Sequence, residues 1–209
     1  MSIGVLIRPT VTILLALPLV VLAACSGDDD DTGADSTPEP TEPAVEVPAY
    51  PDDKRTGEAA LDAVIDAVLG GTAADLFALA RVTCDMTTES GMGTPPPCEG
   101  DESPGTVVEV LPVAGCDENT YVRGAALDEL AGQLASNNPK LYAAYVPNTT
   151  NNFPAFPTGD FVAVFINDLG EGFAAHTTAG EILRVGLSCG TDLANLLDLA
   201  ETELLPPLG

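Results

Sequence analysis

Histidine occurs once in this chain, and seven basic residues stand against 32 acidic ones. Each scarcity removes a class of function. Nucleic-acid binding draws its affinity from clustered Lys and Arg that neutralise phosphates, and a formal charge of −25 offers no such cluster. The same charge opposes docking on anionic lipid, so any attachment to a membrane must be carried by something apolar. Neither partner histidines nor a C-x-x-C spacing is present to build a metal site. A nucleophile elbow, a phosphate-cradling glycine loop and a dinucleotide fingerprint are missing too. The acidity itself reads as solubility through net repulsion; a cation-binding or salt-adapted surface is the sharper alternative.

What is present begins with Leu22-Ala23-Ala24-Cys25. Before it, Arg8 and the amino terminus carry the only positive charges, and Val11 to Ala24 is almost wholly apolar, with Pro18 inside. A helix needs roughly 20 apolar residues to cross the bilayer core, and this run is shorter. It fits the apolar centre of a cleavable export signal, followed by small residues at the cut. The four residues resemble the lipobox of bacterial lipoprotein precursors, a resemblance confined to residues 1–26. It implies a diacylglyceryl thioether on Cys25, cleavage after Ala24 and acylation of the new amine by a palmitate-like chain. Two or three chains anchor firmly, since each buried methylene contributes roughly 0.8 kcal/mol and one chain alone is marginal. The competing reading is an ordinary signal peptide whose cleavage site happens to precede a cysteine. The resemblance places the protein at the cell membrane, lipid-anchored on the extracytoplasmic face. Its partners would be the membrane, through the lipid on Cys25, and an envelope protein or small ligand.

The chain then divides into a signal peptide at 1–24, a tether at 25–53 and a single α+β domain at 54–209. Losing Arg8 with the signal leaves six basic residues, and six minus 32 gives −26 for the mature chain. The tether carries Asp28 to Asp31 and a Thr-Pro-Glu-Pro-Thr-Glu-Pro run at 37–43, a composition that cannot bury enough apolar area to offset chain ordering. Its reach lies between about 30 Å as a flexible coil and about 80 Å fully extended. Calcium binding by the four aspartates is the sharper reading, but a solvated run is a poor cage.

With Cys25 committed to lipid, four cysteines remain: Cys84, Cys98, Cys116 and Cys189. An even number in an exported domain reads as two disulfides. Three pairings are open; the favoured one joins Cys84 to Cys98 across a Gly- and Pro-rich loop, and Cys116 to Cys189 between two strand ends.

Within the domain, Leu61, Val64, Ile65, Val68 and Leu69 share one helical face, with Thr56 as cap and Gly70-Gly71 as stop. Thr72 and Asp75 predict a second helix carrying Leu76, Phe77, Leu79 and Ala80, antiparallel to the first. Strands are expected at 106–111 and 120–123, a middle helix through Leu127, Leu130 and Leu134, and strands at 141–146, 161–166, 173–178 and 182–188. In the last of these, Arg184 is expected to share a face with Ile182. Phe161–Ile166 is apolar throughout, the mark of a central strand covered on both faces. Thr191 predicts the cap of a closing helix through Leu193, Leu196, Leu197 and Ala200, ended by Pro206-Pro207. The fold class is α+β: an antiparallel sheet with an N-terminal helix pair, a middle helix and a C-terminal helix. This element order resembles the NTF2-like superfamily, which implies a conical sheet enclosing a pocket.

Candidate chemistry is thin. His176 would need a carboxylate to act as a general base, and Asp160 and Asp168 are the nearest candidates. Glu109, Asp117 and Glu118 could pair as carboxylates, though chance alone gives such pairs in so acidic a chain. Tyr142, Tyr145, Phe153 and Phe156 read either as an aromatic contact for a ligand or as a loop pinned by its own aromatics. Asn148-Thr149-Thr150 matches a glycan sequon that bacterial export makes uninformative. The sequence therefore assigns no catalytic residue, no metal ligand and no cofactor. It favours a membrane-anchored binding or accessory domain. The alternative is a pocket hydrolase or isomerase using His176.

Overall fold

A computed structural model describes residues 48–86, 94–116, 118–149 and 155–208. Cys25, the lipobox and most of the tether lie outside the described residues. Helix α1 (Ala59–Leu69) buries Leu61, Val64, Ile65 and Val68 of the predicted stripe, with Leu69 only partly buried against the same core. Thr56 does not cap it. Its hydroxyl accepts from the Glu58 N–H and donates to the Asp62 carboxylate, tying the entry of the helix to its first turn.

The expected helix pair is absent. After Gly71 the chain makes one 3-10 turn at Ala73–Leu76. Phe77 is then extended and bridges Ile182, with the Ala78 N–H on the Ile182 carbonyl. Strand β1 (Ala80–Thr83) follows directly. The helical spacing of Leu76, Leu79 and Ala80 loses to sheet pairing, because Arg81-Val82-Thr83 finds an antiparallel partner at Val107–Glu109, where a β-branched segment packs well.

Six more strands close to their expected places build the sheet: β2 (Val107–Ala114), β3 (Asn119–Val122), β4 (Lys140–Pro147), β5 (Phe161–Ile166), β6 (Gly172–Thr178) and β7 (Glu181–Leu187). Helix α2 (Ala125–Leu134) separates β3 from β4. The closing segment departs from expectation. Helix α3 is one short turn, Ala194–Leu197, with Leu193 rather than Thr191 at its cap, and strand β8 (Ala200–Leu205) follows it. The reason is which side of the sheet each leucine must reach. Leu196 packs on one face, with Leu193 and Leu197 against it, whereas Leu205 belongs to the core on the other. A continuous helix would hold them all on one side; an extended edge strand carries the chain across.

The strand order is β1-β2-β7-β6-β5-β4-β8, with β3 also on β2. Every pairing is antiparallel except β2 with β7, which run parallel through Val113–Val185 and Ala114–Gly186 alone. Tyr50, in the stretch read as tether, donates its backbone N–H to Leu141 and its hydroxyl to the Pro206 carbonyl.

Besides a small cluster of Cys84, Val108 and Val110 at β1 and β2, two cores flank this sheet. The larger takes α1, α2 and the inward residues Leu141, Ala163, Phe165, Phe173, Ala175, Ile182 and Val185. The smaller, on the opposite face, holds Ala143, Tyr145, Val162, Val164, Ala174 and Leu196. The alternation of β5 and β6 accounts for both: odd positions face α1 and even positions face α3. No described helix is long and apolar enough to cross a membrane.

Candidate functional site: a half-buried arginine beside the single histidine

β6 sends His176 to the smaller face, opposite Phe173 and Ala175 as alternation requires. Register pairs it with Arg184 of β7. A bulge between His176 and Thr177 inserts one extra residue into β7. Ile182 and Val185 consequently both reach the larger core, while Arg184 stands on the other face. That corrects the expectation that Arg184 shares a side with Ile182.

The imidazole is buried, with 3% of its surface exposed. Its Nδ1 lies 3.0 Å from the Thr158 carbonyl oxygen and its Nε2 lies 2.7 Å from Arg184 Nη2. A carbonyl only accepts and a guanidinium only donates, so the contacts assign the proton to Nδ1 and leave Nε2 to accept from Arg184. Burial first, and the Arg184 charge second, push the imidazole pKa down to about 3, against a partial rise from the Thr158 bond. His176 is neutral and its lone pair is occupied.

Gly159 positions that carbonyl. It sits at φ +72°, and a Cβ there would lie 2.6 Å from the Thr177 oxygen. Only glycine lets the chain lie so close to β6.

Arg184 also donates from Nη1 to the Phe156 carbonyl at 3.2 Å, and its buried Nε–H has no hydrogen-bond partner. Burial lowers its pKa to about 10, which leaves it cationic at neutral pH. Tyr145 donates its hydroxyl to the Leu196 carbonyl; burial raises its pKa well above the usual phenol range. Beside this group lies a cavity of about 180 Å³, lined by Ala114, Tyr145, His176, Arg184, Gly186 and Leu196 among others.

A second arginine gives the contrast. Arg123 donates to Glu99 and to both oxygens of Glu102, the fork geometry expected of a guanidinium in an acidic protein. Arg184 has no ion pair with any described carboxylate.

The other sequence candidates do not converge here. Asp168 pairs with Lys140 at 2.7 Å, and Asp160 is exposed, with its N–H on the Thr177 carbonyl; neither carboxylate bonds His176. Glu109 faces Arg81 across β1 and β2. Asp117 and Phe153 lie outside the described residues, and Glu118 is exposed. Of the aromatics, Tyr145 and Phe156 are buried; Phe156 lies with its ring centroid 5.3 Å from that of Tyr121, which agrees with a segment pinned by its own rings. The sulfurs of Cys84 and Cys98 are 2.01 Å apart and those of Cys116 and Cys189 2.11 Å, the pairing the spacing favours. Cys84, Cys98 and Glu102 form a cluster of potential metal donors, but its sulfurs are joined to each other and its carboxylate is held by Arg123.

Sequence reasoning missed Arg184 and Gly186 as site residues. The usable signal was an arginine inside an otherwise apolar strand, in a chain that spends only seven basic residues. Comparison with protein-family models, with curated proteins and with solved structures found no match.

Proposed function

We propose that this chain is a lipid-anchored, extracytoplasmic binding protein. Cys25 carries the lipid, the acidic Pro-rich stretch after it is a spacer, and the pocket beside Arg184 receives the ligand. The occupied Nε2 of His176 carries the choice of binding over catalysis. A general base needs a free lone pair and a pKa near the working pH, and this imidazole has neither. A half-buried cation next to a cavity is instead suited to holding something. The NTF2-like resemblance enters only as the expectation of a ligand pocket against a curved sheet.

The anchor is tested by fractionating cells that express the chain or its Cys25→Ser variant, with mass spectrometry of the mature N-terminus. Membrane association that depends on Cys25, with a diacylglyceryl mass on that residue, is the expected result. An intact leader or an unmodified thiol would contradict it.

A pocket hydrolase or isomerase is the second reading, favoured by the cavity at His176. It requires Arg184 to leave Nε2 when substrate enters, and predicts turnover that His176→Gln abolishes.

A further inference from the structure

The two strands that carry the site differ in one telling way. β6 places the larger side chain of His176 against Arg184, whereas β7 places Gly186, with no side chain, against the same cavity. Glycine weakens a strand interior and therefore needs a reason. Gly186 is not among the positive-φ glycines. A Cβ there would meet Leu196, Ala174 and His176 Nε2 at 3.5, 3.6 and 3.8 Å, all ordinary contact distances. Neither backbone conformation nor close packing demands glycine. What its bareness leaves open is space beside the Arg184–His176 pair.

The charge points the same way. A guanidinium has five N–H donors, and Arg184 meets two acceptors, the Phe156 carbonyl and the imidazole. Withdrawing a charge even partly from water without a counter-ion has a cost, and here the Nε–H is buried while the side chain as a whole is half-buried. Yet a chain with 32 carboxylates directs none of its described ones at this arginine, while it directs two at Arg123. Among the described residues that leaves the guanidinium without a carboxylate partner.

We propose that the cavity bounded by Arg184, His176 and Gly186 is a receptor site for a small monocarboxylate with a short apolar tail. The proposal deepens the binding reading above and rests on it, but is independent of the lipid anchor. One cation balances one negative charge. A phosphate dianion would need further donors and would meet the repulsion of a chain at −25. Ala114, Leu196 and Leu199 give the cavity apolar wall for a hydrocarbon tail. Its size, about 180 Å³, equals the liquid volume of about six waters, which suits an acid of a few carbons and falls below the usual drug-sized pocket.

The test is calorimetric titration of the full chain in detergent with sodium butyrate and, separately, inorganic phosphate. The 15N resonances of the single imidazole are followed in parallel. Butyrate is expected to saturate one site and shift His176 Nε2, with phosphate at least tenfold weaker. Arg184→Lys should weaken butyrate about tenfold and Arg184→Gln should abolish it. Gly186→Ala, which keeps the arginine and fits the space, should weaken it about fivefold with an unchanged melting temperature. That variant decides the matter if Arg184→Gln fails to fold. Butyrate binding that survives both Gly186→Ala and Arg184→Lys unchanged would overturn the site. Phosphate binding that needs Arg184, without butyrate binding, would remove the carboxylate and leave a binding pocket. No binding of either anion would remove both, while leaving Cys25 anchoring untouched.

Discussion

The two faces of this sheet are built on different terms. Against α1 the sheet presents an all-apolar core: Leu61, Val64, Ile65 and Phe165 are fully excluded from solvent, and Phe165 stacks on Phe173 at 5.0 Å. Against α3 the cover is a single helical turn and its flanks, and beneath it lie the buried Tyr145 and His176 and the half-buried Arg184, with a cavity beside them. One face is made to be stable. The other gives up packing and holds a charge and a space, the arrangement on which the proposed binding site rests.

The largest effect expected from breaking this arrangement lies at the short parallel junction of β2 and β7. β2 and β7 share two register pairs, and the Cys116–Cys189 bond, spanning 73 residues of sequence, ties the chain just beyond them. Replacing both cysteines by serine should cost about 4 kcal/mol on the chain-entropy account, read by urea unfolding, and should loosen the pocket wall at Ala114 and Gly186. A cost near zero would mean the parallel pair holds itself.

Next comes the dry face alone. Leu61→Ala should destabilise the domain by about 3 kcal/mol through loss of transfer energy and the cavity left behind. The His176 resonances should stay where they are. If they move with the core, the faces are not separable.

How much of this was legible follows the same division. The dry face could be read because it obeys simple periods: the α1 stripe, the unbroken apolar run of β5 and the alternation of β6 each state which side they bury. The polar face could not. Arg184 meets His176 only because a bulge shifts the β6–β7 register, and bulges leave no reliable mark in one sequence. The closing leucines misled for a related reason. Leu193, Leu196 and Leu197 have helical spacing and do form a turn, but nothing local says that Leu205 must cross to the other core. The Thr72–Ala80 segment failed because its strand partner lies beyond the Cys84–Cys98 loop, at β2.

A smaller effect separates the faces by pH. The folded His176 has a pKa near 3, while an unfolded histidine titrates near 6.5. Below about pH 6.5 the unfolded chain therefore binds a proton that the folded chain refuses, and stability falls as pH falls, by up to about 1.4 kcal/mol per unit. The groups facing this imidazole are Arg184 on β7 and Tyr145 on β4, with Asp198 close enough to Tyr145 to influence it. Between pH 6.5 and 5 the loss should be about 1.6 kcal/mol. His176→Gln should flatten that slope, measured by urea unfolding at each pH. An unchanged slope would assign the acid sensitivity to carboxylates elsewhere.

The smallest expected effect concerns placement. Gly159→Ala forces a Cβ against the Thr177 backbone at positive φ and should cost about 1 to 2 kcal/mol. By shifting the Thr158 carbonyl it should also disturb the Nδ1–H resonance, seen by NMR, and lower the imidazole pKa further, since that bond is what partly raises it. A silent Nδ1–H would mean that Thr158 does not hold the ring.

The most direct test of the account is a 15N titration of the lone imidazole in the full chain from pH 8 to 4.5. The ring should stay neutral throughout, protonated at Nδ1, with Nε2 keeping the shift of a hydrogen-bond acceptor. A midpoint near 6.5, or a proton on Nε2, would contradict it, because the guanidinium of Arg184 would then have no lone pair to meet.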